Sequence, residues 1–119
     1  METSKKLVTK LTGWGLTKPV EVNIIIPKSL KELKGTIKKA KSKSLIARGL
    51  GRSYGDAAQI NSGSVIKLDF FKKIELDISN STIKVGAGLS LNEILEYIIP
   101  RGYFIPVSPG TSKVTVGRA

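Results

Sequence analysis

Residues 48–56 read Arg48-Gly49-Leu50-Gly51-Arg52-Ser53-Tyr54-Gly55-Asp56, three glycines among two arginines and two hydroxyls. Glycine permits positive φ and close approach of the main chain to a ligand. Successive N–H groups in such a turn form a concavity for an anion. Ser53 and Tyr54 add O–H donors, and Arg48 and Arg52 add charge. Together these suit a pyrophosphate. The spacing, G-x-G-x-x-x-G, differs from the dinucleotide fingerprint G-x-G-x-x-G, and the absence of Gly-Lys-Ser/Thr excludes a Walker loop. The plainer reading is a glycine-rich turn after a strand, in which Asp56 ties the loop through its own backbone.

Two further segments carry weaker signals. Pro109-Gly110-Thr111-Ser112, followed by Thr115-Val116-Gly117, places small residues beside a strand-like end. Trp14, flanked by Gly13 and Gly15, can stack on a ring or pack as a lid on the core. The chain has no histidine and no cysteine. That excludes Ser-His-Asp and Cys-His catalysis and disulfides, and no metal site is expected.

The elements that must position these loops fit in one domain of 119 residues. Val22–Ile26 is a β-branched run closed by Pro27 and reads as a buried strand. Ser29-Leu30-Lys31-Glu32 is a capping box, and Leu30, Leu33, Ile37 and Ala40 then mark one helical face. Residues 44–47 form a second strand candidate running into the glycine loop. Residues 65–70 alternate as a strand, and 73–77 with 82–85 read as a hairpin turning at Ser79-Asn80-Ser81. A second capping box, Ser90-Leu91-Asn92-Glu93, opens a helix stopped by Pro100 and Gly102. The expected class is α+β, two βα units on a small mixed sheet. Residues 1–10 are expected as a flexible basic N-terminus and 11–119 as the folded lobe.

The net charge is +11, and it is uneven: residues 1–55 hold 13 Lys/Arg against three acids. A basic half points to an anionic partner such as phosphate, nucleic acid or an acidic membrane surface. Sixteen of the 20 cations are lysines, which also fits solvated helix faces. Aromatics are 6% and do not interleave with the cations as base-stacking platforms would, so no nucleic-acid partner is expected. A basic polyanion-binding module and an inactive structural unit remain the alternatives. No apolar run reaches the roughly 20 residues of a membrane span, and no signal-peptide stretch follows the N-terminus, which makes the cytoplasm the expected compartment.

Three segments, in this order, resemble the vanillyl-alcohol-oxidase-type flavoproteins, and within them the decaprenylphosphoryl-β-D-ribose 2′-oxidase family. They are Leu11-Thr-Gly-Trp-Gly15, Ala47-Arg-Gly-Leu-Gly-Arg-Ser-Tyr-Gly-Asp-Ala57 and Pro109-Gly-Thr-Ser-Lys-Val-Thr-Val-Gly117. The resemblance runs from about residue 10 to the end. It implies a PCMH-type FAD-binding domain, with Ala47, Arg48, Gly49, Leu50, Gly51, Arg52, Ser53, Tyr54, Gly55, Asp56 and Ala57 around the FAD pyrophosphate. It likewise implies cofactor contacts from Gly110, Thr115, Val116, Gly117 and Arg118, and a pocket for flavin and substrate near Tyr54 and Trp14. Arg52 stands where wider relatives often carry a flavin-linked histidine, so the FAD is expected to be non-covalent. Arg118 stands where the family usually has glycine.

The family's reaction is hydride transfer from a sugar CH–OH to flavin, on a polyprenyl-phosphate-linked ribose. The resemblance makes this chain the N-terminal lobe of the cofactor domain, truncated at its C-terminal end. No catalytic residue is expected in it, FAD binding by the lobe alone is expected to be weak or absent, and the truncated edge invites self-association. The full-length enzyme would be cytoplasmic or membrane-peripheral.

Overall fold

The computed structural model describes residues 4–13, 15–16, 18–40, 44–53, 59–60 and 62–118. Ten elements follow one another. They are β1 (Ser4–Leu11), β2 (Val20–Pro27), α1 (Leu30–Ala40), β3 (Leu45–Arg48), β4 (Ser64–Lys67), β5 (Ile74–Asp77), β6 (Thr82–Val85), α2 (Leu91–Ile98) and two 3-10 turns, Ile99–Arg101 and Val116–Arg118.

The main sheet has the order β1-β2-β4-β3 and is mixed. β1 runs antiparallel to β2, from Ser4 opposite Pro27 to Leu11 opposite Val20. β4 lies parallel to both β2 and β3, with Ile24 opposite Val65 and Ile46 opposite the same Val65. The buried members Val22, Ile24 and Val65 form one core cluster, joined by Leu11, Ile26, Ile46 and Ile60. β2 is central in the sheet: Val22 and Ile24 bury one face along the strand, while the other is covered only from Ile25 on, with Glu21 and Asn23 exposed.

The α+β class with a mixed sheet is therefore the architecture of this chain. The second helix sits apart from the main sheet. Leu91, Ile94 and Ile98 of α2 are buried with Leu89, and Ile74, Ile83 and Val85 of the β5–β6 hairpin pack against them. The capping box of α2 forms in full and that of α1 only in its serine half. Ser90 Oγ accepts the Glu93 N–H at 3.1 Å while Glu93 Oε2 accepts the Ser90 N–H at 2.8 Å. At α1, Ser29 Oγ accepts from Glu32 N–H at 3.2 Å, and Glu32 Oε2 reaches one residue further back, to the Lys28 N–H at 2.8 Å.

Two expectations change. The basic arm over 1–10 is a strand from Ser4 onward, paired along its whole length with β2. The partner supplies the order that a lysine-rich sequence does not announce: ladder hydrogen bonds and a half-buried alternation, with Thr9 and Leu11 partly covered and Val8 and Lys10 exposed. Residues 68–70 leave the expected strand as a turn, closed by the Phe71 N–H donating to Leu68 C=O at 3.0 Å. Among the described residues no helix is long and apolar enough to cross a membrane.

Candidate functional site

β3 ends at Arg48, and the glycine run begins at the next residue. Parallel pairing of Arg48 with Lys67 fixes the start of the loop at the carboxyl ends of β3 and β4. That end of a parallel arrangement is where ligands commonly sit, because the loops splay apart there.

The facing wall comes from far along the chain. Residues 112–117 are stitched to the segment that enters α2: Leu91 N–H donates to Val114 C=O at 2.9 Å, Val116 N–H to Leu89 C=O at 2.8 Å and Gly117 N–H to Ala87 C=O at 3.0 Å. An isolated antiparallel bridge joins Ser90 and Thr115 in the middle of this seam. Between the two walls lies a cleft of about 170 Å³. Ala47, Arg48, Gly49 and Leu50 line it from the glycine loop, and Ala87, Gly88, Ser90, Thr115 and Gly117 from the seam. Leu68, Asp69, Lys72 and Glu93 complete the lining. A second hollow of about 60 Å³ takes in Gly51, Arg52 and Ser53 together with Val114 and Thr115.

Two stretches singled out in the sequence, more than 60 residues apart, are thus brought face to face. The details differ from residue to residue. Gly110 is exposed, has open space around its Cα and lines neither hollow. Val116 packs into the α2 cluster. The N–H groups of Val116 and Gly117 are already taken by carbonyls, so they are not donors into the cleft. Arg118 ends the last 3-10 turn. Trp14, Tyr54, Gly55, Asp56 and Ala57 lie outside the described residues.

Arg48 also has a partner of its own. Its Nη2 donates to Thr12 C=O at 2.6 Å, in the connection between β1 and β2. Gly51 explains how the guanidinium fits: at φ +68° it has no Cβ, and a Cβ there would run into the Arg48 guanidinium. Gly88 serves close packing in the opposite wall, where a Cβ would overlap the Leu68 carbonyl.

Sequence reasoning missed Gln59 and the Lys72–Glu93 pair. Gln59 Oε1 accepts the Gly13 N–H at 2.7 Å, and its Nε2 donates to Lys18 C=O at 3.2 Å and Leu11 C=O at 3.4 Å. Lys72 Nζ lies 3.0 Å from Glu93 Oε1. The Ser90 N–H on its other oxygen, and then Lys72, hold the Glu93 carboxyl below the usual carboxylate range. A glycine doublet, Gly86-Ala87-Gly88, was the visible signal for this wall, and it reads equally well as a helix leader.

The donor set fits a diphosphate. The Leu50 and Gly51 N–H groups have no acceptor among the described residues. Hydroxyls are present on Ser53 and Thr115, and cations on Arg52 and on Lys72, the latter shared with Glu93, all in the walls of the two hollows, whereas the Ser90 hydroxyl donates to Glu93 Oε2 at 3.2 Å. The cleft is smaller than the roughly 300–1,000 Å³ of a complete small-molecule pocket, so it suits one polar group of a larger ligand. Among the described residues no group of three or more acidic side chains is placed to hold a metal ion.

The decaprenylphosphoryl-beta-D-ribose oxidase of Mycolicibacterium smegmatis is 37% identical over 114 residues, covering 92% of this chain and 25% of that protein. A D-lactate dehydrogenase of Archaeoglobus fulgidus is 28% identical over 97 residues, covering 79% of this chain and 22% of that protein. The solved structure of a cholesterol oxidase from Brevibacterium sterolicum shares the fold with a TM-score of 0.85 at 12% identity, over 98% of this chain and 24% of its own. The chain spans about a quarter of the length of the relatives it matches. A family profile described as an FAD binding domain matches residues 23–119, and the chain belongs to that family.

Proposed function

We propose that this chain holds the diphosphate of FAD, non-covalently, in the cleft between residues 47–53 and 115–117, as part of an FAD-dependent oxidoreductase acting on a sugar CH–OH group. The observation that carries the reading is the cleft itself. A turn whose Leu50 and Gly51 N–H groups have no acceptor among the described residues faces a hydroxyl-bearing seam at the carboxyl ends of two parallel strands.

Each residue has a distinct part. Leu50 and Gly51 N–H groups would donate to diphosphate oxygens, and Ser53 would add a hydroxyl. Arg52 and Lys72 would offset its charge. Arg48 shapes the turn from behind, through Thr12. When bound, the flavin accepts a hydride; the protein groups bind and orient it. No side chain in these walls is offered as a general base. The substrate class follows the name of the Mycolicibacterium relative, a polyprenyl-phosphate-linked sugar. The lobe expected over 11–119, extended by β1 to Ser4, is the unit that would carry the site.

A cleft of about 170 Å³ covers only a fraction of FAD. Partial contacts must still offset the cost of immobilising the whole cofactor, so residues 1–119 alone should bind FAD weakly and oxidise nothing. The test is a titration of the chain with FAD at moderate salt, followed by flavin fluorescence and the visible spectrum. Weak, saturable, one-to-one binding that is lost in Gly51→Val is the expected result. Equal binding by both proteins, or no binding by a folded chain, would overturn the assignment of the cleft.

A further inference from the structure

The two ends of the glycine loop grip the same piece of chain. At its start, Arg48 Nη2 donates to Thr12 C=O at 2.6 Å. Beyond its end, Gln59 accepts from Gly13 N–H at 2.7 Å and donates to Lys18 C=O at 3.2 Å and Leu11 C=O at 3.4 Å. The side chains thus hold both sides of the connection between β1 and β2. The amide orientation of Gln59 follows from its partners, since an N–H needs the oxygen and two carbonyls need the nitrogen. Gly13 is buried, so its N–H depends on that oxygen.

We propose that Arg48 and Gln59 are positioning residues that couple the glycine loop to the β1–β2 connection at Leu11, Thr12, Gly13 and Lys18, so that a diphosphate bound in the loop also fixes those contacts. The proposal rests on the reading of the cleft as a diphosphate site, and it assigns these two side chains to the coupling and not to the ligand. Arg48 cannot move toward an anion without releasing Thr12. Gln59 cannot follow a rearranged loop without pulling on Gly13 and Lys18. Order in one loop is therefore transmitted to the other through fixed hydrogen bonds, a mechanical link with two anchor points.

The chain offers its own reporter, because Trp14 is the one tryptophan in the sequence. The experiment titrates the chain with inorganic pyrophosphate and with FAD, measuring heat by calorimetry and, with pyrophosphate, Trp14 emission. In parallel, amide resonances are compared between the wild type, Gln59→Leu and Gln59→Glu, with circular dichroism to confirm folding. Without ligand, Gln59→Leu is expected to shift the resonances of Gly49, Leu50 and Gly51 as well as those of residues 12–19. Gln59→Glu keeps the acceptor for Gly13 and should restore part of the pattern. With pyrophosphate, the wild-type emission change should follow the heat of binding, and Gln59→Leu should lose most of its amplitude.

Shifts confined to residues 12–19 in the ligand-free variant would overturn the coupling, whatever the ligand does. Pyrophosphate heat with unchanged Trp14 emission in the wild type would also overturn it, while leaving the diphosphate site standing. Coupled resonances with no heat from either ligand would support the link and sink the diphosphate reading instead.

Discussion

Lys72 and Glu93 meet across the lining of the cleft at 3.0 Å, joining the turn after β4 to the first turn of α2. The same carboxylate closes the capping box with the Ser90 N–H at 2.8 Å. Ionised Glu93 therefore fastens the helix start and one lining contact together.

This arrangement predicts a pH dependence. The folded-state pKa of Glu93 lies below its ordinary value of 4.5, chiefly through the Ser90 N–H. Such a group stabilises the fold above its unfolded pKa and stops doing so as pH falls through the folded value. Thermal unfolding midpoints should be level near neutrality and fall as the solution is acidified below about 4.5. Glu93→Gln should lower the midpoint at neutral pH and flatten its acid limb. An acid limb identical to wild type would remove Glu93 from this role.

Gly51→Val tests the loop. The left-handed conformation at φ +68° costs a non-glycine residue about 1–2 kcal/mol, and more for a β-branched one. The new side chain would also displace the Arg48 guanidinium. Urea unfolding should show a loss of at least that size together with the loss of FAD binding described above.

Gly88→Ala tests the opposite wall. A single methyl there would overlap the Leu68 carbonyl, so backbone must shift. We expect destabilisation of about 1–3 kcal/mol by chemical denaturation, and a narrowed cleft with weaker pyrophosphate binding.

The placement of the second core predicts a contrast between two isoleucines. Ile94 is 3% exposed within the α2 cluster, whereas Ile37 of α1 is 54% exposed. Ile94→Ala should cost about 2–5 kcal/mol. Ile37→Ala should stay within about 0.5 kcal/mol of wild type. Similar losses for both would show that α1 is packed more tightly than its exposure indicates.

Local chemistry made much of this fold legible. The Ser90 box, the hairpin at 74–85 and the β-branched run of β2 each carry their signal within a few residues. β1 does not, because its order comes from pairing with β2 and its lysines read as an arm. The glycine loop was visible as a candidate anion turn, since glycine spacing and hydroxyls are local facts. Its opposite wall was less so: Thr115 and Gly117 matter through a seam with residues 87–91 that only the folded chain creates. Gln59 carried no sequence signal at all. Its role lies in three main-chain partners more than 40 positions away, and nothing in its neighbours announces them.

The strand order β1-β2-β4-β3 has a consequence for how the protein is made. β3 precedes β4 in the chain, yet among the described residues its only sheet neighbour is β4, which lies between it and β2. A growing polypeptide that has emerged as far as Arg48 has no strand beside which β3 can settle. The slot stays open until residues 64–67 arrive to fill it. Such non-local pairing slows folding and leaves apolar strand surface uncovered in the meantime. The glycine turn therefore waits for β4 and is not set when it is first made, and substitutions in β4 such as Val65→Ala should delay it even though they touch no residue of the loop.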